Sequence, residues 1–150
     1  MESYRVVLFG NRCIPSFRKL EDVLYPMLRE LMFEKPYVEF YIGRNGDFDI
    51  FAASIIKRVQ NAVGRERSEM TLVLPYPTKD LAYYEQYYDR VMIPDTVTGI
   101  HPKRAIEARN RWMVAQCDLL ICYAAYDHGG AYAALQYAKR LQKRVINLVE

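Results

Sequence analysis

The sequence predicts an α/β fold: a mostly parallel sheet layered between helices, in a single domain over residues 1–150. Three observations predict it. Short apolar, partly β-branched runs alternate with longer stretches whose apolar residues recur at three and four. No linker, repeat or shift in composition interrupts the series. Apolar strands alternating with amphipathic helices need cover on both faces, which is the habit of parallel sheets.

Residues 5–9, RVVLF, read as the first strand, ending at Gly10. Residues 16–34 read as a helix through Leu20, Leu24, Met27, Leu28 and Leu31, with Pro26 expected to kink or split it near Tyr25. YVEFYI, 37–42, is a second strand, GRNGD a turn, and Ile50–Val63 a helix. MTLVL, 70–74, is a third strand, stopped by Pro75 and Pro77. A short helix over 80–89 and a short strand over 91–93 follow. On that helix Tyr83, Tyr84, Tyr87 and Tyr88 predict one broad apolar face, packed on the sheet or on a partner subunit. Pro102 suits the first turn of a helix reaching about Gln116. DLLICY, 118–123, is a strand, a glycine-opened helix covers about 130–142, and RVINL, 144–148, is the last strand.

Composition narrows the function. Hydrophobic residues are 51% and charged residues 26% of the 150, which excludes a disordered chain. No apolar run approaches the ~20 residues that span a bilayer. The start, MESYRVVLFGNR, lacks the basic and apolar regions of a secretory signal, so the expected location is cytoplasmic. A net charge of +3 without a basic stripe gives no reason to expect nucleic acid. Cys13, Cys117 and Cys122 are odd in number and unpatterned, and His101 and His128 stand alone, so neither a disulfide framework nor a metal site is expected. Cys117 and Cys122 read as buried apolar side chains. No cofactor is indicated.

In parallel sheets ligands bind at the carboxyl ends of the strands, which singles out specific loops. After the first strand come Gly10, Asn11 and Arg12, the arginine offering a fork of donors to a phosphate or carboxylate. After the second come Gly43, Asn45 and Gly46, then Asp47, a candidate helix cap, and Asp49, a candidate acceptor for a ribose or a residue that orients the loop. Tyr76, after the third, can lie against a flat ring. After the penultimate strand Gly129, Gly130, Ala131 and Tyr132 open a helix, where free N–H groups and the dipole favour an anion. Arg109 projects from the apolar arc formed by Ala105, Ile106, Ala108, Trp112 and Met113. A buried charge is costly alone, so Arg109 needs a carboxylate partner or an opening into a ligand cleft.

Together, GNR, GRNGDFD, LVLPYP and RNRWMVAQCDLLICY followed by HGGAYAALQYA resemble the SLOG superfamily over nearly the whole chain. That Rossmann-like group contains DNA-processing protein A and the Lonely Guy phosphoribohydrolases, and the likeness is to its small stand-alone bacterial members. The resemblance implies a Rossmann-like three-layer α/β/α fold, a nucleotide or ADP-ribose-like ligand over the glycine loops, and a homodimer. Lonely Guy enzymes carry PGGxGTxxE with an arginine on the preceding helix. Arg109, Met113, Gly129 and Gly130 match. His128 stands for the proline, Ala133 for the threonine and Gln136 for the glutamate. A glutamine amide cannot act as a base at an N-glycosidic bond. The expectation is therefore a domain that binds or senses a nucleotide-derived ligand. Its alternative is an N-glycosidase in which Asp127 or Asp49 replaces the lost acid.

Overall fold

The computed structural model describes residues 2–149. Six strands form one sheet: β1 (Tyr4–Gly10), β2 (Val38–Ile42), β3 (Ser68–Val73), β4 (Arg90–Met92), β5 (Leu119–Tyr123) and β6 (Arg144–Asn147). The helices between them are α1 (Phe17–Glu34), α2 (Asp47–Val63), α3 (Leu81–Tyr87), α4 (Pro102–Gln116) and α5 (Gly130–Arg140). The strand order is β4-β3-β2-β1-β5-β6, and every pairing is parallel. The mostly parallel expectation thus becomes fully parallel.

Alternation along β1 assigns the two cores. Val6 and Leu8 pack with α1 and α2; Val7 and Phe9 pack with α4 and α5. Helices on both faces make three layers, the Rossmann-like arrangement. Cys117 and Cys122 lie in the second core, and burial raises their thiols to about 11 and about 12, so they behave as apolar side chains. No helix among the described residues is long and apolar enough to cross a membrane.

Four local expectations need correction. Pro26 lies inside α1 without splitting it; Ser16 caps the helix by accepting from the Lys19 N–H. Helix α2 begins at Asp47, a turn earlier than the apolar pattern suggested, because Gly46 takes the cap position. Asp47 therefore does not cap. Asp49 satisfies a donor at this end instead, accepting from the Asn45 N–H at 2.9 Å. Third, β3 starts at Ser68, where Gln60 of α2 donates to the Ser68 hydroxyl and to Asp89. Fourth, the α3 tyrosines do not share one fate. Tyr88 is buried, Tyr84 and Tyr87 are half-buried, and Tyr83 is 60% exposed beside exposed Leu81.

Strands run outward from β1 to β4 and then return to the other side of β1 as β5. Consecutive connections therefore leave in opposite directions from the β1–β5 pair. A crevice opens above their carboxyl ends, where open α/β sheets hold ligands.

Candidate functional site

Three loops meet at that crevice and are latched to one another. Asn11 Oδ1 accepts from the Ala125 N–H at 2.9 Å, and the Asn11 N–H donates to the Tyr123 carbonyl at 3.1 Å. The Arg12 carbonyl accepts from the Asp47 N–H at 2.8 Å. The loop after β1 is thereby fixed both to the start of α2 and to the loop after β5. Glycine makes the approach close enough. A Cβ on Gly46 would stand 2.6 Å from the Arg12 Cα, and one on Gly10 would strike the buried Phe48 ring.

Between the loops lies a cavity of about 490 Å³. Of the residues read from the sequence, Gly10, Asn11, Arg12, Gly43, Asn45, Asp49, Arg109, Gly129, Gly130 and Ala131 line it. Gly46, Tyr76 and Tyr132 do not. Gly46 packs beneath Arg12; Tyr76 is 42% exposed outside the cavity; Tyr132 lines a neighbouring groove between α4 and α5. Phe9, Cys13, Ile106, Asn110, Tyr126 and His128 complete the lining. Ile106 was within reach of the sequence, since it stands three residues before Arg109 on one face of α4, and Asn110 follows Ile106 by four.

Arg109 is 2% exposed. Its Nη1 donates to the Val73 carbonyl at 2.6 Å and its Nε to Asn110 Oδ1 at 2.8 Å. No carboxylate pairs with it among the described residues. Nη2 has no partner there either, and the guanidinium lines the cavity. Of the two alternatives for a buried arginine, the structure therefore gives the opening. Gly43 permits this, because a Cβ there would come within 3.0 Å of Nη1.

Asp49 faces the same space and is 8% exposed. Burial pushes its carboxyl up to about 6; the Asn45 N–H and the Arg109 charge pull the other way. For Arg109, burial lowers the pKa, while Asp49 and Tyr76 raise it. Each feels the other, yet no ion pair joins them.

The third wall is the start of α5. Gly129 is its cap, at φ 91°, with no side-chain hydrogen bond to the first turn and no acidic residue in it. The N–H groups of Gly130, Ala131 and Tyr132 belong to that turn, which has no intrahelical acceptor for them. Gly129, Gly130 and Ala131 line the cavity, which puts the positive end of the helix at its wall. At Gly130 a Cβ would meet only Asn110 Nδ2, at 3.8 Å.

The groove between α4 and α5 is larger, about 700 Å³, and carries Gln136. Its polar lining is exposed or half-buried, whereas the smaller cavity is floored by two charged groups more than nine-tenths buried. The smaller one has the chemistry of a site. Asp127, by contrast, has a side chain 94% exposed and does not line the cavity.

No protein-family model and no curated protein matches the chain. Solved structures do. DNA processing protein A from Streptococcus pneumoniae superposes with a TM-score of 0.69 at 16% identity, over 95% of this chain and 49% of that one. DNA processing protein A from Helicobacter pylori, described for its single-stranded DNA binding mode, gives 0.65 at 21% identity, over 98% and 66%. The molybdenum cofactor binding protein from Rippkaea orientalis gives 0.61 at 19% identity, over 98% and 77%. The chain spans less than two thirds of either DNA processing protein. At these identities the likeness is one of fold, and it bears out the Rossmann-like three-layer arrangement that the resemblance implied.

Proposed function

We propose that the cavity over β1, β2 and β5 binds a nucleotide-derived small molecule. Its phosphate would rest on the N–H groups that open α5, with Arg12 at the exposed rim. One observation carries the reading: the Arg109 guanidinium is almost wholly buried, lines the cavity, and keeps one nitrogen without a partner. Several kcal/mol of desolvation is tolerated at a buried charge only for a return, and a ligand that accepts from the free nitrogen while its phosphate sits nearby supplies one.

Calorimetric titration with the ribonucleoside monophosphates and ADP-ribose tests this. The expected result is saturable binding, lost in the double variant Arg109→Ala, Gly130→Asp. Binding that is unchanged in the double variant sinks the site. Turnover of the ligand would fall to Asp49, the carboxylate in the cavity. Free base released from a monophosphate, and no longer released by Asp49→Asn, would make the domain an N-glycosidase. The homodimer implied by the resemblance belongs to this proposal, and sedimentation at micromolar concentration checks it against the 17.6 kDa chain.

A second reading has one finding in its favour. The H. pylori neighbour is described as binding single-stranded DNA, so the expectation against nucleic acid loses its support. In that reading Lys103, Arg111 and Arg140, on the groove beside the cavity, would track a strand. A gel shift that weakens steeply with salt favours it; none at low salt retires it.

A further inference from the structure

Asp49 and Arg109 are opposite charges in one cavity that do not meet. Asp49 Oδ2 accepts from the Asn45 N–H, and Oδ1 has no partner among the described residues. Arg109 Nη2 has none either. Neither atom is sealed off: among the described residues the fully buried side-chain atoms without a partner are Gln60 Oε1 and Thr71 Oγ1, away from the cavity. An acceptor and a donor, each more than nine-tenths buried as residues, thus line one cavity without a protein partner.

The chemistry of what fits between them is narrow. A phosphate is repelled by the carboxylate, and a cation by the guanidinium. The group must be neutral and must donate and accept at one spot, which a hydroxyl does with a single atom. Position indicates which hydroxyl. Asn110 Nδ2 lies 3.8 Å from where a Gly130 Cβ would stand, and Asn110 Oδ1 lies 2.8 Å from Arg109 Nε. The guanidinium is therefore beside the anion cradle, and the part of a nucleotide beside its phosphate is the sugar.

Resting on the nucleotide reading above, we propose that Asp49 and Arg109 together read a ribose hydroxyl. The hydroxyl donates to Asp49 Oδ1 and accepts from Arg109 Nη2, so the cavity takes ribonucleotides in preference to 2′-deoxyribonucleotides. Asp49 is the specificity-determining residue and Arg109 its counterpart. Acids placed after the second strand of dinucleotide-binding sheets hold ribose hydroxyls by the same chemistry.

The test titrates the four ribonucleoside 5′-monophosphates and their 2′-deoxy counterparts into wild type and Asp49→Asn. Wild type is expected to prefer the ribose form of the bound base by about tenfold, the worth of one charged hydrogen bond. Asp49→Asn is expected to bring the two forms within about twofold. Equal binding of both forms by wild type overturns the inference and leaves the nucleotide site standing. So does a preference that survives Asp49→Asn. No binding of any monophosphate removes the nucleotide reading and the inference with it.

Wild type alone supplies a second readout should Asp49→Asn fail to fold. The acceptor must be ionised, so the preference should shrink as pH falls through about 6. The charged and titratable groups around Asp49 are Arg109 of α4, Tyr88 at the end of α3 with Arg44 on its hydroxyl, and Arg12 and His128 on the cavity wall. Because His128 shares the cavity, the series is repeated in His128→Asn. A preference flat from about pH 5 to about pH 8 in both proteins contradicts the inference.

Discussion

Asp49 sits where its charge harms the fold. Its folded carboxyl stands at about 6 against an ordinary 3.8, so the protonated form is the one the folded chain favours. Such a group stabilises fully below its unfolded pKa, and that contribution is lost as pH rises through about 6. The rise from 3.8 to about 6 corresponds to at most about 3 kcal/mol at neutral pH. Urea denaturation should therefore find Asp49→Asn more stable than wild type at pH 8, with the gap closing below about pH 4. A variant destabilised at both pH values would make Asp49 a structural cap and nothing more. A residue that costs stability and faces a cavity fits the binding role proposed for it. Arg109 was legible in the sequence because a wheel placed it on the apolar side of its helix. The lack of a bond between Arg109 and Asp49 was not legible. They come from helices on opposite faces of the sheet and meet over its edge, at a separation set by tertiary packing around Gly43.

Helix and loop boundaries at the site are set by how closely elements approach, and the glycines report it. Gly10 and Gly46 hold α2 against β1 and the Arg12 loop, where added methyls would strike Phe48 and the Arg12 backbone. Gly10→Ala and Gly46→Ala should each cost roughly 1–3 kcal/mol and lower the melting temperature. Gly130 begins α5 with open space around it, so Gly130→Ala should leave stability unchanged or raise it by about 0.4–1 kcal/mol. If Gly10→Ala and Gly130→Ala behave alike, the close docking of α2 is wrong. Six strands and five helices followed from periodicity and turn residues. The early start of α2 did not. Its first turn, Asp47–Asp49, carries little of the apolar pattern and is held by Gly46 and a hydrogen bond to Arg12, which lie outside any local signal. The exposed position of Tyr83 was equally hidden, because α3 spans only Leu81–Tyr87 and touches the sheet along one side.

At the scale of the whole molecule, topology places the site. The strand order turns back at β1, and the loop with Arg12 and the helix starts with Asp49 and Gly130 follow β1, β2 and β5, three adjacent strands. Sequence order alone brought out these loops; the latches by Asn11 and Arg12 make them one cavity. A shared fold with DNA processing protein A and a molybdenum cofactor binding protein leaves function to the site, as it does for any widely used fold. If the cavity holds a compact anion and not a strand, nucleotide affinity should change only a few-fold between about 50 and 200 mM salt, where a protein contacting many phosphates loses orders of magnitude. The central claim is that the anion sits on the opening turn of α5, and a ¹⁵N–¹H correlation spectrum recorded during titration with a ribonucleoside monophosphate reads that turn directly. The amides of Gly130, Ala131 and Tyr132 should shift together and saturate with the calorimetric affinity, and these shifts should vanish in Gly130→Asp. Saturable binding that leaves those amides unmoved, with its shifts elsewhere on the molecule, would contradict the account.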